Sequence, residues 1–189
     1  MEPENSPPAQ PASQPPPQPP AQPYEKIRDR IKGLLQDMDL EITKEFDTEE
    51  LCGFWIQFGN FPVFIENRKP LKYCVVALQF TFSDEATIEA INGYYDNKDH
   101  RFVFRLTQAL TSPETSFTRV IESGRVIGFT IMKSIYPFHE GFSIRDLDAA
   151  VQAVVSVGDV GVAFLKAEMG AAAVDRTPPG PSEPGPMYE

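Results

Sequence analysis

The sequence is poor in the residues that carry most protein chemistry. Its 189 residues include only two cysteines and two histidines. Cys52 and Cys74 both lie among bulky apolar neighbours in strand-like runs, which is typical of buried thiols rather than of a disulfide or a metal site. The sequence has no zinc-ligand spacing, no Gly-x-Ser-x-Gly elbow and no phosphate-binding glycine loop. We therefore expect no catalytic residue, no metal and no cofactor.

Basic residues and long apolar runs are also scarce. Seventeen Lys and Arg stand against 27 Asp and Glu, for a net charge of −10. A domain without a basic stripe is a poor binder of nucleic acid or anionic membrane, because phosphate neutralisation supplies most of that affinity. We find no run of about 18 apolar residues that could span a membrane, and the N-terminus is unlike a secretory signal. These features predict a cytoplasmic protein that contacts neither nucleic acid nor membrane.

Proline is abundant but unevenly distributed, and its distribution predicts the domain boundaries. Residues 1–23 contain ten of the 19 prolines, and residues 171–189 contain five more. Such segments favour extended polyproline conformations and hold too little apolar surface to fold. We predict one folded domain over residues 24–170 between two disordered Pro-rich tails, which serve either as ligands or as spacers.

Between the tails, the strand-like runs come in consecutive groups and do not alternate with helices. The predicted order is α-β-β-β-αα-β-β-α. Consecutive strands favour hairpins, so this order predicts an α+β fold with a mostly antiparallel sheet and flanking helices. The run from Tyr73 to Phe82 is the most continuously apolar, which predicts a central strand. A break at Asn92-Gly93 is expected to end the first helix of the central pair.

The last predicted helix has the clearest signals. Ser143 and Asp146 have the spacing of a capping box, and the apolar residues beyond them recur every three or four positions. The helix is rich in valine and contains two glycines, so burial must supply most of its stability. Gly158 predicts a close approach of another backbone, either the sheet or a second copy of the helix.

The strand end before this helix carries a short motif, formed by Lys133, Ile135, Tyr136, Gly141 and Ser143. With the element order, it resembles a family of uncharacterised archaeal proteins whose fold is similar to that of class I type III secretion chaperones and YbjN-type bacterial regulators. The likeness covers about residues 24–170 and departs at both tails and at residues 137–139. It implies a chaperone-like domain that binds an extended segment of a partner protein and forms a homodimer. No catalytic residue accompanies the family.

Aromatic residues are concentrated in one predicted strand, Leu51 to Phe58. Alternation places Phe54 and Phe58 on one face and Trp55 on the other. If the first face is the core, Trp55 lies on the outside, where large aromatics often anchor a partner; a helix of the same chain could equally cover it. Our first hypothesis is a non-enzymatic interaction module with Trp55, Phe54 and Phe58 as its partner-binding residues.

A polar cluster follows the last strand and supports a second hypothesis. Lys133, Tyr136, His139 and Glu140 lie within eight positions of one another. If their side chains converge on a concave pocket, the chain is a small-molecule sensor or an enzyme. The ordinary alternative is that His139 faces water and that Lys133 pairs with an acidic neighbour near the strand end.

Overall fold

A computed structural model describes residues 24–69, 71–170 and 174–175. The predicted tail 1–23 and nearly all of the predicted tail 171–189 lie outside the described residues. The predicted α+β class, the mostly antiparallel sheet and the element order are confirmed, with four strands before the helix pair.

Four helices and seven strands form the described part of the chain. The helices are α1 (Tyr24–Asp37), α2 (Glu85–Asp96), α3 (His100–Leu110) and α4 (Ile144–Met169). The strands are β1 (Glu41–Asp47), β2 (Leu51–Phe58), β3 (Phe61–Arg68), β4 (Cys74–Phe82), β5 (Ser116–Glu122), β6 (Arg125–Ile135) and β7 (Val174–Asp175).

The strands form one antiparallel sheet in the order β1-β2-β3-β4-β6-β5, and the two-residue β7 pairs with β4. The apolar strand β4 lies in the middle of this order, as its sequence predicts. The hairpin between β5 and β6 turns at Ser123 and Gly124, which both have positive φ (50° and 79°), as a two-residue type I′ turn requires.

The sheet has two unlike faces, because successive side chains point to opposite sides. On the inner face point Phe54, Ile65, Leu78, Phe129 and Ile131, each at most 1% exposed. All four helices pack on the inner face or on one another there, and with it they form one hydrophobic core. On the outer face point Trp55, Phe64, Ala77 and Met132, which pair across β2, β3, β4 and β6. No helix among the described residues covers the outer face.

The helix α4 fits the centre of the inner face. Its buried positions follow the predicted spacing: Leu147, Ala150, Val151, Val154, Gly158, Gly161, Val162 and Leu165. A methyl group added at Gly158 would lie 2.6 Å from Leu78 Cδ2 and 3.6 Å from Ile131 Cδ1. Of the two alternatives considered for this glycine, the structure therefore has the approach to the sheet.

By length and composition alone, α4 is also long enough and apolar enough to cross a membrane. The sequence nevertheless holds no uninterrupted run of about 18 apolar residues in this helix, because Gln152, Ser156 and Asp159 interrupt it. A core helix that buries one whole side has the same composition, and eight residues of α4 are buried against the sheet and the neighbouring helices.

The helix α2 does not end at Asn92-Gly93 as predicted but continues to Asp96. The side chain of Asn92 explains the difference. Its amide nitrogen donates to the carbonyl oxygens of Ile88 (2.7 Å) and Val126 (3.0 Å), and its amide oxygen accepts from the backbone N–H of Val126 (2.9 Å). Asn92 therefore fastens the middle of α2 to the start of β6, a tertiary contact that overrides the local turn preference.

Candidate functional site

The outer face carries an apolar row four strands wide. Lys44 of β1 precedes the row, which runs from Trp55 through Phe64 and Ala77 to Met132. The rings of Trp55 and Phe64 are 4.9 Å apart at an angle of 45°, so they pack as a pair. Three spacings of neighbouring strands make the row about 14 Å wide. Trp55, Phe64 and Met132 remain half-buried, while Ala77 is buried.

Polar side chains border this row toward one end of the strands and beside β5, whereas the half-buried Phe46 and Val75 lie next to it toward the other end. Gln57, Gln79, Thr118 and Thr130 lie toward one end of the strands, where the Thr130 hydroxyl donates to Gln79 Oε1 (3.1 Å). Ser116 and Ser134 lie near the side of β5 and are exposed. An apolar centre with a polar rim is the usual composition of a protein–protein interface.

Two of the three predicted partner-binding residues do not lie on the outer face. Phe54 is 1% exposed beneath the helices, and Phe58 points the same way and packs against the core. The prediction for Phe54 is therefore wrong, since no partner of the folded domain can touch it, and Phe58 acts as a core residue. Trp55 alone of the three faces outward. Sequence analysis did not identify Phe64 and Met132. They lie in one row with Trp55 only because β2, β3, β4 and β6 pair in a particular register, which the sequence does not reveal.

A separate cleft of about 630 Å³ lies beside the end of β6 and the start of α4. Lys133, Tyr136 and His139 line it together with Glu114, Phe142 and Asp146. Glu140, the fourth member of the predicted polar cluster, is exposed and does not line the cleft. The structure thus brings three of the four residues together, with Tyr136 61% exposed at the cleft and its ring 6.4 Å from that of Tyr73.

The lysine in this cleft has an ionic partner. Lys133 Nζ contacts Glu114 Oε2, and the lysine side chain is 19% exposed against 64% for the glutamate. The hydrogen bond and the charge of Lys133 lower the pKa of the Glu114 carboxyl. This is the ordinary arrangement considered from the sequence, in which a core-facing lysine reaches an acidic neighbour at the strand end.

The other polar groups of the cleft also have local partners. Asp146 accepts from the backbone N–H (2.8 Å) and the hydroxyl (2.7 Å) of Ser143, and these hydrogen bonds lower the pKa of its carboxyl. Nδ1 of His139 accepts from the backbone N–H of Gly141 (3.1 Å). The imidazole Nε2 therefore remains the nitrogen that a ligand in the cleft can reach.

The loop that positions His139 is held by an arginine from the other end of the chain. Arg30 of α1 donates to four backbone carbonyls: Pro137 (2.7 Å), His139 (3.1 Å), Glu140 (3.3 Å) and Phe142 (2.5 Å). The guanidinium also lies 5.7 Å from the centre of the Phe142 ring. Sequence reasoning missed Arg30, because a helix arginine beside Asp29 and Lys32 looks like an ordinary solvent-facing charge.

Both cysteines are buried and free. Burial raises the pKa of both thiols, and for Cys74 from 9.0 to about 12. A thiol that keeps its proton is a poor nucleophile, so neither residue suits covalent catalysis. Among the described residues, no group of three or more His, Cys, Asp or Glu is arranged to hold a metal ion.

We expect neither thiol to react with a thiol-specific reagent in the folded protein at pH 8, whereas both react in denaturant. The folded chain also keeps the Cys74 proton between pH 9 and 12, where the unfolded chain releases it. This contribution to stability is present below pH 9 and is lost as the pH rises toward 12. Reaction of one thiol in the native protein, at the rate seen in denaturant, would contradict the burial.

Comparison with known proteins finds similarity to solved structures but not to a known family. No protein-family model and no curated protein matches the chain. An uncharacterised protein from Methanothermobacter thermautotrophicus has a similar structure, with a TM-score of 0.62 and 13% identity over 76% of this chain and 99% of that one. YbjN from E. coli has a TM-score of 0.48 and 8% identity over 75% and 91% of the two chains. The first shows the shared fold; family membership and a chaperone-like role stay predictions.

Proposed function

We propose that this protein is a non-enzymatic interaction module that binds an extended segment of a partner protein across the outer face. The observation that carries the proposal is the apolar row of Trp55, Phe64, Ala77 and Met132, which no described helix covers. A sheet that packs helices on one side only normally has a polar opposite side. An apolar row there is evidence of a contact that the described chain does not itself supply.

Trp55 is the anchor of this surface. Its ring is supported from one side by Phe64, at 4.9 Å between centroids, so that its position is fixed before a partner arrives. Rigid, partly exposed aromatics contribute the largest share of binding energy at protein interfaces. The polar rim of Gln57, Gln79 and Thr130 can supply hydrogen bonds to the backbone of a bound segment.

We expect Trp55→Ala to abolish capture of the partner from a native lysate. Loss of an aromatic anchor at an interface typically costs about 2 kcal/mol or more, which is about a 30-fold loss of affinity. The measurement is affinity capture with the purified protein as bait, followed by titration of the captured protein. Ile121→Ala is the matched control, since Ile121 is 57% exposed on β5 but lies four strands away from Trp55.

Equal capture by wild type and Trp55→Ala, with loss in Ile121→Ala, would place the binding surface elsewhere. Circular dichroism on both variants must show the wild-type spectrum, because an unfolded variant would lose partners for a trivial reason.

A small-molecule sensor is the second candidate, and the cleft favours it. Its volume of about 630 Å³ lies within the range of about 300–1,000 Å³ usual for ligand sites. Lys133, Tyr136 and His139 supply polar groups beside the apolar wall of Ile135 and Phe142. A ligand with a carboxylate fits best, because it can replace Glu114 as the partner of the lysine.

For this candidate we expect a carboxylate metabolite to raise the melting temperature of the wild type but not that of Lys133→Met. Methionine keeps most of the apolar stem of the side chain and removes the charged ammonium group with its three N–H donors. A screen that finds no stabilising compound, or one equally active on both proteins, rejects the cleft as the site.

A further inference from the structure

The cleft beside α4 runs along an open strand edge. Its lining includes consecutive residues of the chain, from Lys133 to Tyr136. A cleft on one face of a strand would be lined by alternate residues, because successive side chains point to opposite faces. β6 pairs with β4 as far as Ile135, but its pairing with β5 begins only at Met132, opposite Ser116. The end of β6 after Met132 therefore has one edge that no described strand occupies.

This edge offers main-chain hydrogen-bonding groups to a ligand. Alternate residues of an antiparallel strand direct both N–H and C=O to the same edge, so at least one of Lys133, Ser134 and Ile135 presents both groups to the cleft. The cleft is also lined by Phe142, just before α4, and by Ala149 in the second turn of that helix. A groove between a strand edge and a helix suits an extended segment, which can pair with the edge as an additional strand.

The position of β5 limits what such a segment can be. All strand pairs described in this sheet are antiparallel, and a segment antiparallel to β6 runs from Tyr136 toward Lys133. There it meets Ser116, which already occupies the position beside Met132. The segment must leave the sheet or end at this point. A chain end fits, because the ammonium group of Lys133 is there to receive a terminal carboxylate.

We propose that the cleft binds the C-terminal end of a polypeptide, paired as a short strand with the end of β6 and with its carboxylate on Lys133. In the free protein Glu114 takes this place, since its carboxylate contacts Lys133 Nζ. The Glu114 side chain is 64% exposed and can turn into water when the ligand replaces it. An apolar side chain near the end of the ligand packs on Ile135 and Phe142. The inference goes beyond the proposed function, because it concerns the cleft and not the apolar row of the outer face.

The test measures binding of short synthetic peptides with varied C-terminal residues to the full chain by fluorescence anisotropy, each as free acid and as C-terminal amide. We expect the amide of every binder to bind about 10-fold more weakly or worse, since it loses a hydrogen bond between charged groups. Lys133→Met should show the same loss with the free acid, whereas Glu114→Gln should bind it more tightly, because the internal competitor is removed. Lys166→Met is the matched control, since this lysine lies at the other end of α4.

N-methylation of the peptide backbone tests the strand pairing on the wild-type protein. A strand directs the N–H of every second residue to its neighbour, so methylation at one of two adjacent positions should abolish binding and methylation at the other should not. Equal binding of acid and amide, an equal effect of methylation at both positions, or the absence of any binder would overturn the inference. So would equal binding of a single amino acid, which would leave the small-molecule candidate for the cleft. Partner capture that is lost in Trp55→Ala but kept in Lys133→Met supports the outer face whatever the peptides show, so the two proposals fail separately.

Discussion

Gly158→Leu is expected to destabilise the protein by about 3 kcal/mol, the upper end of the usual cost of overpacking a core. The glycine lies where α4 crosses the sheet, and even a methyl group there would come within 2.6 Å of Leu78 Cδ2. A leucine side chain must push α4 away from β4 and β6 or displace Leu78 and Ile131 from their packed positions. Denaturant unfolding followed by circular dichroism measures the loss.

Gly33→Leu is the matched control for this variant. Gly33 also lies within a helix, α1, but an added methyl group there meets nothing within 4 Å. Leucine has a better helix propensity than glycine, so this change should stabilise the protein by about 0.5–1 kcal/mol. If Gly158→Leu does not fold, Gly158→Ala still reports, because the close contact with Leu78 Cδ2 should cancel the gain of about 1 kcal/mol in helix propensity that alanine otherwise brings. Two stabilised variants would mean that α4 does not approach the sheet at Gly158.

Arg30→Ala is expected to cost about 2–3 kcal/mol and to open the loop of residues 137–142. Hydrogen bonds to a charged group contribute about 1.5–3 kcal/mol where they are not replaced by water. Four carbonyl oxygens lose their donor, of which those of Pro137 and Phe142 are part-buried. Because the loop carries His139, Gly141 and Phe142, the cleft should lose its shape as well. Hydrogen exchange measures the opening as faster exchange at residues 139–142.

Arg30→Lys tests the geometry of the contact apart from its charge. A lysine ammonium has three donors on one atom and cannot reach four carbonyls spread along a loop. We therefore expect Arg30→Lys to recover only a small part of the stability lost in Arg30→Ala. Full recovery would show that the positive charge near the loop matters and the four hydrogen bonds do not.

Much of the fold follows from local patterns in the sequence. The hairpin at Ser123-Gly124 and the cap formed by Ser143 and Asp146 are each determined by a few neighbouring residues. The central position of β4 follows from its apolar content. A strand that pairs on both edges and packs against α4 is largely buried, so it contains few polar residues. Such signals suffice for the element order and for the antiparallel class.

Contacts between distant residues could not be predicted in this way. Asn92 and Gly93 favour a turn locally, yet α2 continues because Asn92 bonds the backbone of Val126, 34 positions away. Arg30 and the loop it holds are more than 100 positions apart. Alternation correctly separates Trp55 from Phe54, but only the position of the helices decides which of the two faces is the core.

The candidate site could also be predicted only in part from the sequence. The neighbours of Trp55 on the outer face come from β3, β4 and β6, and their pairing register depends on the whole sheet. For Lys133, the sequence indicated an acidic partner but did not identify Glu114, which lies in the loop before β5.

The emission of Trp55 during titration with the captured partner segment tests the central claim most directly. If the segment lies across the outer face, water leaves the indole ring, and the emission shifts to shorter wavelength and saturates with the same dissociation constant as binding measured by calorimetry. If the segment binds with that constant while the emission and acrylamide quenching of Trp55 stay unchanged, the outer face is not the binding surface and the account is wrong.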